Sequence, residues 1–273
     1  MPRRLLPLLA AALLTACGTT PEPAPSVPSA PPEPAPATHY VALGDSYAAM
    51  GSRSAPTSGP EHCYRSADNY PSLLLADPLI PAGEDASCSS AVTADIPAQA
   101  AALTPDTDLV TLSIGGNDIR FGDIAGCFLR ALNEPVDCPA LLDVPVHELL
   151  TALPAELDGV YDLIGQRSPG ARVIATGYLP LVSAGECPEL ATVPEEQRAW
   201  AVDVTAEINT VVREAAERHG AEFVLPAEAG SHSVCAEPEQ RWTDVTGELT
   251  DAYPMHPTPA GQQAMAEAVR AVL

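Results

Sequence analysis

The chain has 273 residues, a formal charge of −23 at pH 7 and no lysine, so its basic side chains are all arginine. Schiff-base chemistry and a lysine general base are thereby excluded, and such acidity argues against nucleic acid as a partner. A hydrophobic share of 46% allows one sizeable core, and the chain reads as a single domain behind an N-terminal leader.

The leader comes first. Arg3 and Arg4 precede the apolar stretch Leu5–Ala16, which is too short to span a bilayer and fits a signal peptide. It ends in Leu14-Thr15-Ala16-Cys17-Gly18, which resembles a bacterial lipobox. The reading is a lipoprotein signal peptide over 1–16 and a lipidated Cys17. A Pro/Ala-rich linker follows, the two together covering 17–38. Its composition cannot bury a core. At about 3.1 Å per residue it would hold a domain up to roughly 60 Å from a membrane anchor. The domain itself occupies 39–273.

Within it, a strand is expected over 39–44, stopping at Gly44-Asp45-Ser46. A helix is expected around 67–77, a short strand near 85–88 and a helix over 94–103. Strand 108–114 then runs into Gly115-Gly116-Asn117-Asp118. A long insertion holds Cys127 and Cys138. Helix 145–167 follows from apolar residues at the helical period. Strand 171–176, helix 194–219 closed by Gly220, and strand 222–225 come next. The last helix, about 259–272, is opened by His256-Pro257-Thr258. Strands alternating with long helices imply a parallel sheet covered on both faces. A serine, an amide donor and a histidine, each at an element junction, are the parts of an acyl-transfer site.

Apart from Cys17, six cysteines remain: Cys63, Cys88, Cys127, Cys138, Cys187 and Cys235. An even set in an exported chain implies disulfides. The sequential pairing closes three local loops without crossing, one choice among the fifteen possible. No Cys-x-x-Cys pair occurs and no histidine lies at a ligand-like spacing from these cysteines, so neither a metal nor a cofactor is expected.

In combination, the Gly-Asp-Ser, Gly-Gly-Asn-Asp and His-Pro-Thr segments make residues 39–273 resemble the SGNH/GDSL hydrolase superfamily. The likeness is greatest to the secreted lipases and esterases of Streptomyces and related actinobacteria. The resemblance implies a three-layer αβα sandwich with a parallel central sheet, of flavodoxin-like topology. It implies the pairs Cys63–Cys88, Cys127–Cys138 and Cys187–Cys235. It gives Ser46 the role of nucleophile and His256 that of its base. Asn117 and the Ser46 N–H become oxyanion donors, with Gly116 beside them in the hole. Asp45 and Asp118 hold their loops.

Two positions depart from the family's pattern. Ser90 stands where related enzymes have an oxyanion glycine; its backbone N–H still donates to the hole, and its side chain brings strain if the backbone there needs a positive φ. Tyr253 stands where most of the superfamily has the acid that orients the histidine. The expected substitute is a backbone carbonyl, from Tyr253 or Pro254, with Asp251 as the fallback acid. The resulting expectation is an exported monomer cleaving lipid or other small acyl esters. A carbohydrate acetylesterase and an inactive ligand-binding envelope lipoprotein are the alternatives. Loops 51–64, 119–140 and 179–195 would shape the substrate pocket.

Overall fold

The computed structural model describes residues 37–273, so the leader, Cys17 and most of the linker lie outside the described residues. Thr38, the last residue assigned to the linker, is already fastened to the domain. Its N–H and hydroxyl both donate to Asp108 Oδ2, at 2.7 and 2.5 Å.

Five parallel strands form the central sheet: β1 (Tyr40–Gly44), β2 (Gly83–Asp85), β3 (Leu109–Ser113), β4 (Arg172–Thr176) and β5 (Glu222–Val224). Their order is β2-β1-β3-β4-β5, the flavodoxin-like arrangement. β1 and β3 lie inside the sheet and every residue in them is buried, which explains their mostly apolar composition. They pair in register from Tyr40↔Leu109 to Gly44↔Ser113, so the turns beyond them leave the sheet side by side. In this arrangement the strand order reverses between β1 and β3. Ligands of open α/β sheets bind in the crevice at the carboxyl ends there.

Among the described residues seven α-helices accompany the sheet: α1 (Ser46–Ala49), α2 (Tyr70–Leu75), α3 (Ile96–Gln99), α4 (Phe121–Ala131), α5 (Cys138–Arg167), α6 (Glu195–Arg218) and α7 (Pro259–Arg270). α2 packs with α7, and α5 packs with α6, giving the two outer layers. The three disulfides join Cys63 to Cys88, Cys127 to Cys138 and Cys187 to Cys235.

Several elements differ from the sequence-based expectation. The helix expected over 94–103 is α3 flanked by single 3₁₀ turns. α4 lies within the stretch read as a long insertion with no element assigned; Gly122 and Gly126 weaken its propensity, and burial of Ile124, Phe128 and Ala131 compensates. α5 begins at Cys138 rather than 145. There Asp137 caps the Ala140 N–H and a proline sits in the first turn, so Pro145 is interior rather than initial.

The short strand expected near 85–88 ends at Asp85, yet its main chain continues to follow β1. The Ala86 N–H donates to the Ala42 carbonyl and the Cys88 N–H to that of Gly44, both at 2.9 Å. The segment leading to Ser90 therefore runs alongside the strand that ends at Ser46.

Candidate active site

β1 delivers Ser46 to the sheet's carboxyl edge through a tightly held turn. Gly44 has φ +151°, and a Cβ there would lie 2.5 Å from the Ser113 carbonyl oxygen, so only glycine fits. The side chain of Gln99 grips Gly44 at both ends, accepting its N–H at 2.7 Å and donating to its carbonyl at 2.8 Å. Asp45 then caps α1 by accepting the Tyr47 N–H. Ser46 takes the first position of α1, where its N–H has no intrahelical acceptor.

The histidine arrives from the other end of the chain. Its loop is fixed by antiparallel pairing of Asp244 with His256 and by Thr258, which caps α7. Gln262 on α7 donates to the carbonyls of Tyr47 and Met50, tying that helix to the Ser46 turn. The structure brings the two side chains together: His256 Nε2 is 2.8 Å from Ser46 Oγ. The other ring nitrogen, Nδ1, donates to the Pro254 carbonyl at 2.7 Å. That bond leaves Nε2 as the acceptor for the serine proton. The Tyr253 carbonyl is engaged otherwise, taking the main-chain N–H of His256 at 3.2 Å.

Asp251 points elsewhere. Its carboxylate accepts from the Ser54 hydroxyl and lies 3.9 Å from Arg53 Nε, while its carbonyl accepts the Arg53 N–H. Asp251→Ala is therefore expected to keep kcat within about threefold, where loss of a triad acid costs about 10⁴-fold. Steady-state kinetics on a soluble ester checks this.

Burial lowers the pKa of His256, opposed by its bond to the Pro254 carbonyl. A ring that must be neutral to accept a proton then stays available until the pH falls below the ordinary imidazole range. The acid limb of kcat/KM is expected below about pH 6.5. Asp45 is the other group titrating nearby; burial pushes its carboxyl up to about 7. An Asp45→Asn profile separates the two, because the His256 limb persists in it.

The Asn117 turn follows β3. Asn117 Nδ2 donates one hydrogen to the Ala91 carbonyl at 2.9 Å, which orients the amide and leaves its second N–H uncommitted. Asp118 accepts the Thr93 N–H and hydroxyl, binding this turn to the Ser90 segment. Gly116 does not fit the role expected of it. Its N–H is committed to the Tyr178 hydroxyl at 2.7 Å and is not available to an oxyanion.

Ser90 has φ +64°, the left-handed region, so the strain foreseen from its side chain is present. Its N–H and hydroxyl have no protein partner among the described residues. Ser90→Gly is expected to stabilise the fold by about 1 kcal/mol, raising Tm by roughly 2–4 °C in thermal unfolding.

Two spaces adjoin the site. An apolar cavity lies beside Met255, walled by Phe121, Ile124 and Phe128 of α4, Val204 and Ile208 of α6, and Leu179. It is closed down to about 30 Å³. A wider groove of about 610 Å³ passes Ser89 and Ser90, with Arg65, Glu84 and Asp95 on its walls. His62 nears Cys63 and Cys88 there, but both sulfurs are committed to their disulfide, so the trio offers no thiolate to a metal.

Sequence reasoning missed the residues that hold the turns: Gln99, Tyr178, Asn209 and Gln262. Tyr178 alone left a signal, since it follows β4 at the same carboxyl edge as the motifs.

The sequence profile of the GDSL-like Lipase/Acylhydrolase family matches residues 42–264. A lipase of Streptomyces rimosus is 36% identical, over 83% of this chain and 83% of its own length. The crystal structure of the extracellular lipase from Streptomyces rimosus matches with a TM-score of 0.76 at 32% identity, covering 87% of this chain and 100% of that one. Phospholipase A1 from Streptomyces albidoflavus NA297 matches with a TM-score of 0.74 at 31% identity, over 86% and 99% of the two chains. With the family profile matching residues 42–264 and these relatives above 30% identity, the chain belongs to the GDSL-like lipase/acylhydrolase family and is a carboxylic ester hydrolase.

Proposed function

We propose that this enzyme cleaves its ester through an acyl-enzyme on Ser46, with His256 as base and no carboxylate partner. The carrying observation is the contact of Ser46 Oγ with His256 Nε2 at 2.8 Å, with Nδ1 held by a main-chain carbonyl. His256 takes the Ser46 proton as Oγ bonds to the ester carbon. The carbonyl oxygen becomes an oxyanion and meets the Ser46 and Ser90 N–H groups and the free Asn117 N–H. His256 then passes the proton to the departing alkoxide. Water repeats the sequence to free the acid and Ser46.

The substrates are lipid-like acyl esters, phospholipids among them. The apolar cavity beside Met255 supports an acyl chain on that side. At about 30 Å³ it has room for little more than a water, so a long chain needs α4 to yield. The open groove past Ser90 takes the rest of the ester. Hydrolysis of a nitrophenyl ester series, from acetate to palmitate, and of a diacyl phospholipid tests this. Turnover that persists to medium and long chains supports the reading. A sharp fall beyond acetate would replace it with a deacetylase.

The enzyme is an exported monomer, carried by the leader over 1–16 and tethered by lipid on Cys17 through the linker 17–38. Support comes from the lipobox-like run, the three disulfides and the extracellular lipase among its relatives. Membrane partitioning of wild type and Cys17→Ala tests the tether; recovery of both in the soluble fraction would refute it.

A further inference from the structure

Tyr178 belongs to none of the motifs that mark the site, yet its buried hydroxyl lies between the two turns that build it. It accepts the Gly116 N–H at 2.7 Å and donates to Asp45 Oδ2 at 2.6 Å. With Asp45 ionised, the donor order follows from the partners. An amide N–H can only donate, so the single phenolic hydrogen goes to the carboxylate. Each partner is one residue short of a working group: Asp45 precedes Ser46, and Gly116 precedes Asn117.

The tyrosine is itself firmly placed. From α6, Asn209 accepts its N–H at 2.7 Å and donates to its carbonyl at 2.9 Å. Its ring meets the edge of Tyr47 at 5.0 Å between centroids. A Cβ on Gly116 would lie 2.9 Å from the ring, so a larger residue there would displace one or the other. The paired register of β1 and β3 ends at Gly44↔Ser113. Beyond it, the turns are tied by the Asp45 N–H on the Ser113 carbonyl and by this phenol.

We propose that Tyr178 is a positioning residue whose hydroxyl straps the Ser46 turn to the Asn117 turn, fixing the spacing between nucleophile and oxyanion amide. The inference rests on the reading that Ser46 and Asn117 form the working site. Hydrogen bonds to an oxyanion are made in the transition state, so loosening the strap falls on kcat and spares KM.

Tyr178→Phe keeps the ring and removes only the hydroxyl. It is expected to lower kcat by about 10–100-fold with KM within about twofold, since small misplacements remote from the chemistry reach that size. In an Asn117→Ala background the same change is expected to alter kcat by less than about threefold, because the group it positions is gone. Wild-type kcat in Tyr178→Phe, or an equal fold loss in both backgrounds, would overturn the proposal and leave the site reading intact. Full kcat in Asn117→Ala alone would remove the oxyanion reading itself, and the strap with it. Should Tyr178→Phe not fold, Asn209→Ala loosens the same tyrosine from α6 and enters the same two-background comparison.

Discussion

Ser46→Ala is expected to lower kcat by about 10⁴–10⁶-fold without unfolding the protein, and His256→Gln to do the same. The two groups face one another at 2.8 Å and can only work as a unit. A serine hydroxyl without a base is a poor nucleophile, and a base without the hydroxyl has nothing to activate. Their losses are accordingly far from additive, and the double variant is no slower than either single one. Neither change touches what builds the turn, since Gly44 stays gripped by Gln99 and α1 stays capped by Asp45. Single-turnover release of nitrophenolate, read beside thermal unfolding, measures both. A Ser46→Ala protein that is folded and still within tenfold of wild type would dispose of the acyl-enzyme mechanism.

The second large effect is at Asn117. Asn117→Ala is expected to cost about 10²–10³-fold in kcat, or roughly 3–4 kcal/mol, with KM little changed. The size follows from preorganisation. The bond from Nδ2 to the Ala91 carbonyl holds the amide plane before substrate arrives, so no reorganisation is needed as charge develops on the ester oxygen. Asn117→Asp makes the stricter comparison. It preserves shape but replaces a donor with an acceptor, and with negative charge, so it should fall at least as far as alanine. If Asn117→Asp matched wild type in kcat, the amide could not be a donor to the oxyanion.

Much of this was legible because the chemistry sits where strands end. The buried strands β1 and β3 are mostly apolar runs, and each stops at a glycine-bearing turn, so Ser46 and Asn117 were readable with their placement. His256 was readable because Thr258 and Pro259 announce a helix start. What the sequence hid was lateral. Gln99 gripping Gly44, Gln262 bridging to α1, and Tyr178 spanning two turns are contacts between residues 55 to 215 positions apart. No local period reports such pairs. Gly116 shows the cost of that blindness: motif membership put it in the oxyanion hole, but a tyrosine 62 residues away takes its N–H. α4 was hidden for the opposite reason. Its two glycines spoke locally against a helix that its buried face stabilises.

The bond between His256 and the Pro254 carbonyl carries a consequence for how this site tolerates genetic change. An acceptor supplied by the main chain has no side chain to lose. A saturation library across 251–255 should hold no position whose every replacement abolishes turnover, as an acid of a triad would. Sensitivity should instead collect at Met255, which is buried and shares its φ of +61° with Asp251 at the other end of the segment. The orienting element is thus a conformation rather than a residue, inherited with the loop's shape and invisible to any scan that reads side chains alone.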